Sequence, residues 1–300
     1  MTRPLIGLAV DTDRRNPYLI EGPALISFSG GRTSGFMLRQ ILDAHGGTLP
    51  DDVIPVFANT GKEMPETLDF VHECGDRWGV NIVWVEYRHT PGKPTFEIVN
   101  HNSASRNGEP FDNLISARSM LPNPVTRFCT VELKIRTMNR FGKSLGWTEF
   151  DKAVGLRADE PRHAASIKGR ATRSRESGEG EIFCPLADAG ITVADVTAFW
   201  SRQPFDLRLP NINGSTPLGN CDLCFLKGGA TLMGIIRERP NLADWWIKTE
   251  MNAAKRATLR KPEIALFRAD RPSYAKMLEL SQTQGDLFTD TATQPCMCHD

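Results

Sequence analysis

The stretch Ala24-Leu25-Ile26-Ser27-Phe28-Ser29-Gly30-Gly31-Arg32-Thr33-Ser34 constrains the rest of the chain most. Ala24 to Phe28 is an apolar run that reads as a short buried strand. Phe36, Met37, Leu38, Ile41 and Leu42 then recur at helical spacing. Between the two stand Ser29, Gly30 and Gly31. Strand, glycine turn and helix in that order place backbone N–H groups and a positive helix end under an anion. The same order also makes an ordinary tight turn, so the elements that follow decide between the two.

Those elements alternate. Val53 to Ala58 reads as a second strand, Glu63 to Trp78 as a helix with acidic residues in its first turn, and Asn81 to Tyr87 as a third strand. Thr130 to Leu145 reads as a helix and Phe150 to Leu156 as a fourth strand. Such alternation predicts an α/β fold with a parallel sheet. Residues 1–23 read as an arm that adds a short strand through Leu5 to Val10. Residues 88–125, rich in Asn, Ser, Pro and Gly, lose periodicity, so they are expected to form either a lid or a surface loop. Residues 163–181 read as a flexible loop. Ile182 to Leu186 reads as an edge strand, because Pro185 cannot donate to a ladder, and Thr192 as the N-cap of a helix Val193–Trp200. From about Arg202 onward, helices at Ala230–Arg239, Ala243–Leu259 and Ser273–Leu280 alternate with cysteine loops. The expected division is a region 1–200 and a helical region 201–300, with no internal repeat.

Lys+Arg and Asp+Glu balance at 36 each, so net charge points to no polyanion partner. A local patch remains open: Lys134, Arg136, Arg140 and Lys143 share one predicted helix and suit nucleic-acid phosphates as well as a solvated face. No apolar run is long enough to span a membrane and the opening residues lack a signal-peptide core, so a cytoplasmic protein without a membrane partner is expected. Seven cysteines, an odd number, point in a reducing compartment to metal binding or thiol chemistry. Cys221-Asp222-Leu223-Cys224 is a Cys-X2-Cys knuckle suited to one ion or cluster. Cys129 precedes a predicted helix, a position that favours the thiolate. Cys74 reads as a core residue, and so does Cys184, which also lies near the sheet edge. Cys296 and Cys298 end the chain.

Ser29-Gly30-Gly31-Arg32-Thr33-Ser34 resembles the PP-loop of the adenine nucleotide α-hydrolase superfamily, Ser-Gly-Gly-X-Asp-Ser, and is not a P-loop. Asn59-Thr60-Gly61-Lys62-Glu63-Met64-Pro65-Glu66-Thr67 resembles the Asp-Thr-Gly…Pro-Glu-Thr segment of its phosphoadenylylsulfate (PAPS) reductase branch. Gly155-Leu156-Arg157-Ala158-Asp159-Glu160-Pro161-Arg162 resembles that branch's segment after the fourth strand. The resemblance spans about residues 22–230. It implies a Rossmann-like parallel sheet with helices on both faces, and an ATP- or PAPS-like adenine nucleotide. Ser29, Gly30, Gly31, Arg32, Thr33, Ser34, Thr60, Gly61, Gly155 and Arg157 would hold that nucleotide. It implies a 4Fe-4S cluster ahead of zinc on Cys129, Cys221 and Cys224, with Cys298, Cys296 or neither as the fourth ligand. Cys129 and Cys298 are the candidate catalytic thiols. Sulfur transfer through an adenylated acceptor and reduction of an adenylyl sulfate to sulfite both fit. The partners implied are a sulfur donor or thioredoxin-like reductant and a nucleic-acid acceptor. A zinc-stapled, non-catalytic nucleotide or nucleic-acid binder is the reading from a different class. Two departures stand out. Thr33 replaces the family's usual Asp, which bears on any Mg-assisted step, and the reductases' Glu-Cys-Gly-Leu-His tail is absent.

Overall fold

The computed structural model describes residues 16–161, 180–256 and 265–283. The expected strand Leu5–Val10, most of the loop 163–181, Arg162, the end of the helix Ala243–Leu259, Cys296 and Cys298 lie outside them.

Six strands form one sheet: β1 (Ala24–Ser27), β2 (Val53–Asn59), β3 (Val83–Thr90), β4 (Lys93–Val99), β5 (Asp151–Val154) and β6 (Ile182–Phe183). Their order is β4-β3-β2-β1-β5-β6, and every pairing except β3–β4 is parallel. The chain steps from β1 outward through β2 to β3, then returns to the other side of β1 as β5. A crevice therefore opens at the carboxyl ends of β1 and β5, where ligands bind in open α/β sheets.

Alternation along the strands builds two apolar faces. Leu25, Val56, Ala58 and Val85 pack under Met138 and Phe141 of α4 (Thr137–Ser144). Ile26, Val53, Phe57 and Trp84 face the other way, in the cluster that contains Met37 and Ile41 of α1 (Arg32–Ala44) and Leu68 and Val71 of α2 (Pro65–Trp78). Helices thus cover both faces. No helix of the described residues is long and apolar enough to cross a membrane.

Three expectations need correction. Residues 88–125 are not irregular. β3 turns at Pro91-Gly92, with Gly92 at φ 78°, into the antiparallel β4, and Glu109–Arg118 forms α3. Lys93, Thr95 and Glu97 lie on one face of β4 and Pro94, Phe96 and Ile98 on the other. The strand alternates, and Pro94, which makes the segment look like loop, is tolerated on an edge strand. The link between β4 and α3 is clamped to the sheet: Ser105 donates through its N–H and Oγ to the buried Glu86 carboxylate, which also accepts from Asn59 Nδ2 at 2.6 Å. The expected helix Thr130–Leu145 is the second. It opens as a π-helical turn, Thr130–Arg136, before α4. The Thr137 hydroxyl donates to the Glu132 carbonyl at 2.7 Å, and Arg118, Arg136 and Arg140 all bind the Glu132 carboxylate. Burial raises that carboxyl's pKa, but the arginines, Arg140 first, hold it below the usual range. Arg136 and Arg140, two of the four cations of the expected basic patch, are thus tied to a carboxylate of their own turn.

The expected edge strand Ile182–Leu186 is the third: it stops at Phe183, and Pro185, suited to a first helical position, opens the short helix α5 (Pro185–Asp188) instead. The remaining helices follow the sequence closely: α6 (Val193–Trp200), α7 (Gly229–Glu238), α8 (Ala243–Arg256) and α9 (Tyr274–Thr283). Thr192 caps α6 as expected, in a capping box with Asp195.

Candidate functional site

The turn after β1 is shaped for an anion. Gly30 lies at φ 82°, and a Cβ there would stand 2.6 Å from Thr67 Cγ2. Only glycine meets both conditions. Gly31 caps α1 with no side-chain hydrogen bond, so the first-turn N–H groups and the positive helix end face the crevice unmasked. Ser34 sets the loop: its Oγ donates to Gly31 O at 2.9 Å and accepts from Ser29 N at 3.2 Å and Ser29 Oγ at 3.0 Å.

Across the crevice, Gly155 follows β5 and lies against the first turn of α1. A side chain there would touch Ser34 Cα at 3.4 Å. Arg157 reaches over: its Nη1 donates to Thr33 Oγ1 at 3.0 Å while Nε donates to Asp159 Oδ1 at 2.9 Å. Glu160 Oε2 stands 3.6 Å from Nη2, so Arg157 pairs with Glu160 as well. Thr33, where the related pattern has Asp, thus meets Arg157 as a neutral acceptor.

Arg32 does not bring charge to the crevice as expected. Its buried guanidinium forks onto Asp206 at 2.8 Å through Nε and Nη2, and Nη1 donates to Thr216 Oγ1 at 3.1 Å. Its carbonyl accepts from Trp200 Nε1. Arg32 fastens the segment 206–216 to the glycine turn.

The end of β2 carries the second motif and meets the cysteines. Thr60 N donates to Glu63 Oε2 at 2.9 Å, and Thr60 Oγ1 bonds the same carboxylate. The Glu63 backbone pairs with Cys221, Asp222 N donates to Lys62 O at 2.8 Å, and Thr60 Oγ1 lies 3.5 Å from Cys221 Sγ. A buried ion pair, Lys62 Nζ to Asp222 Oδ2 at 2.9 Å, locks this contact from the side. Gly61, at φ 77°, sits under Gly108, whose N–H donates to its carbonyl.

Cys129, Cys221 and Cys224 line one cavity of about 20 Å³, together with Thr60, Lys134 and Trp246. None of the described cysteines is in a disulfide. Lys134 Nζ, on the π turn after Cys129, reaches Asn220 Oδ1 at 3.5 Å and Glu63 Oε1 at 3.9 Å. Among the described residues no three His, Cys, Asp or Glu side chains are gathered to hold a single metal ion. Cys74 and Cys184 lie apart in the core, and burial pushes the Cys74 thiol up. Trp245 and Trp246 pack as helix residues: Trp246 is fully buried with Nε1 on Asp222 Oδ1 at 2.8 Å. Lys62 and Glu63 are both buried although charged, and their adjacent opposite charges just after an apolar strand are the sequence signal for this clamp.

No family model matches the chain. Among curated proteins it is similar to an uncharacterized nin region protein, ORF290, of Escherichia phage lambda. The two are 29% identical over 210 residues, which are 68% of this chain and 66% of that protein, just under two thirds of its length. Among solved structures it is similar to PAPS reductase from Candida auris in a phosphate complex, with 19% identity over 60% of this chain and 72% of that one and a TM-score of 0.36. It is also similar to the U34-tRNA thiolase NcsA from Methanococcus maripaludis with its 4Fe-4S cluster, with 15% identity over 92% of this chain and 79% of that one and a TM-score of 0.40.

Proposed function

We propose that this chain is a PP-loop enzyme of sulfur chemistry that binds an adenine nucleotide in the β1–β5 crevice beside a thiolate-held iron–sulfur cluster. The observation that carries this reading is the join at the end of β2, where Thr60 and Glu63 of the second motif meet Cys221 and Thr60 itself lines the thiol cavity. The donor set suits a cluster. Three thiols share one cavity, and cluster thiolates bind separate irons rather than converging on one point. The cavity holds a water-sized body, so loading a four-iron cluster widens it.

In this reading the N–H groups of the α1 first turn hold a phosphate or sulfate. Arg157, kept in place by Asp159 and Thr33, adds a planar donor edge. Glu63 fixes Thr60, so the strand end keeps one shape under the nucleotide. Thr33 brings no carboxylate, so a Mg ion would be held by phosphate oxygens without a ligand from this position. When bound, the cluster on Cys129, Cys221 and Cys224 would supply sulfur or pass electrons. Cys298, as fourth ligand or mobile catalytic thiol, belongs to this proposal from its sequence position alone.

Of the two reactions, adenylation of an acceptor followed by sulfur delivery is the first reading, and reduction of an adenylyl sulfate to sulfite is the second. The acceptor class includes nucleic acid, and the co-substrate is a sulfur donor or a thioredoxin-like reductant. The test gives purified, anaerobic protein ATP with a sulfur donor and bulk RNA, and separately PAPS with a thiol reductant. Pyrophosphate release from ATP is expected. Sulfite from PAPS instead would make the chain a reductase. Neither product, with nucleotide still bound, would favour the zinc-stapled binder.

A further inference from the structure

Arg271 lies just before α9, outside the glycine-turn, strand-end and cysteine motifs. Its Nη1 donates to Lys227 O at 2.9 Å, and Lys227 N in turn donates to Cys224 O. The guanidinium therefore rests on the turn that closes the Cys-X2-Cys loop. Its Nη2 is buried and has no hydrogen-bond partner. Burial pulls the Arg271 guanidinium below its ordinary range, while the Tyr274 hydroxyl beside it, by charge and hydrogen bond, and the Cys224 thiol work in the other direction. Tyr274 fixes the same loop from below: its hydroxyl donates to Leu223 O at 2.6 Å, and its ring stacks 5.1 Å from Trp246, a wall of the thiol cavity.

The other cations around the cavity have assigned tasks. Lys62 pairs with Asp222, Lys134 reaches Asn220 and Glu63, and Lys227 Nζ donates to the carbonyls of Gly219, Cys221 and Asp222. Arg271 takes part in no ion pair among the described residues. The nearby Glu250 carboxylate is engaged by the N–H groups of Phe267 and Tyr274. A buried guanidinium donor without an acceptor is costly and calls for an explanation. Metal binding supplies one, because it converts thiols into thiolates.

We propose that Arg271 is a positioning residue of the thiol centre, its buried Nη2 held for the negative charge on Cys224 sulfur once the three cysteines carry a metal centre. This rests on the thiol-centre reading above. It adds that a residue of the C-terminal segment sets how tightly that centre is held and how easily it is reduced.

The test loads wild type, Arg271→Met and Arg271→Lys anaerobically with iron and sulfide. It measures retention against a chelator and the midpoint potential, with circular dichroism as a check on folding. Arg271→Met is expected to weaken retention at least tenfold and to lower the potential, since a nearby cation favours the reduced centre. A tenfold change in that preference is about 59 mV for one electron. Arg271→Lys, which keeps the charge, should stay closer to wild type on both. A folded Arg271→Met with unchanged retention and potential overturns the inference, as does a change in stability alone. If wild type takes zinc instead, the same retention comparison with zinc decides. If wild type holds no metal on these cysteines, the thiol-centre reading itself fails and takes the inference with it.

Discussion

Replacing Lys152 by methionine is expected to stabilise the chain by about 3 to 5 kcal/mol at pH 7. Lys152 lies in β5, paired on either side with Leu25 and Ile182, so its side chain enters the sheet face covered by α4. It is 7% exposed, its Nζ has no hydrogen-bond partner, and it stands 5.4 Å from the centre of the Phe150 ring. Burial, helped by Lys143, pulls its pKa from 10.5 down to about 7. At about 1.4 kcal/mol per unit, that shift is the penalty the fold bears where the unfolded chain is protonated. The sign follows from proton binding. Between pH 7 and 10.5 the unfolded chain holds the proton that the folded chain has lost, so wild-type stability rises with pH across that window. Below pH 7 both states are protonated and the penalty is constant. Methionine keeps the unbranched stem without the charge. Urea denaturation of both chains from pH 6 to 10 should show a gap that is widest at pH 6 to 7 and closes towards pH 10. A gap that is absent, or constant with pH, would mean that the Lys152 amine reaches water.

Removing Asp222 should have an effect of similar size and opposite sign, and should reach the site. The Asp222 carboxylate lies between the Lys62 ammonium at 2.9 Å, Trp246 Nε1 at 2.8 Å and the Leu223 N–H at 2.7 Å, with both members of the ion pair buried. Asp222→Ala leaves a buried ammonium without a counter-charge and an indole N–H without an acceptor. Breaking a buried pair in this way costs about 3 to 5 kcal/mol. The pair also clips the cysteine loop to the end of β2, so the variant should lose metal from the thiol cavity and weaken nucleotide binding together. Lys62→Met combined with Asp222→Leu removes both charges and should recover much of the stability. A cost under about 1 kcal/mol for Asp222→Ala, read from urea midpoints, would show that the pair is solvated. Full stability recovery with the two binding defects persisting in the double variant would separate the clip's role in the site from its role in folding.

The sequence carried the sheet and the crevice well, because those signals are local. The apolar run before Ser29, the helical spacing after it and the alternation to β5 each lie within a short window. The hairpin to β4 escaped although Lys93 to Ile98 alternates polar and apolar, because Pro91, Gly92 and Pro94 give the stretch the look of a loop. The π turn escaped because its composition is that of any helix, and only the arginines gathered on Glu132 reveal it. Arg32 shows the deeper limit. Its place in the glycine turn suggests an anion ligand, yet its partner Asp206 lies 174 residues away. The gathering of Cys129, Cys221 and Cys224 on one cavity was expected from resemblance, not from spacing, and nothing local marks Arg271 as their neighbour.

The central claim is that the nucleotide crevice faces an iron–sulfur cluster held by Cys129, Cys221 and Cys224. Anaerobic purification followed by an absorbance spectrum and metal and sulfide analysis tests it most directly. The account predicts a coloured protein with iron and acid-labile sulfide in comparable amounts, lost in Cys224→Ser. A colourless protein with stoichiometric zinc and neither iron nor sulfide would contradict it.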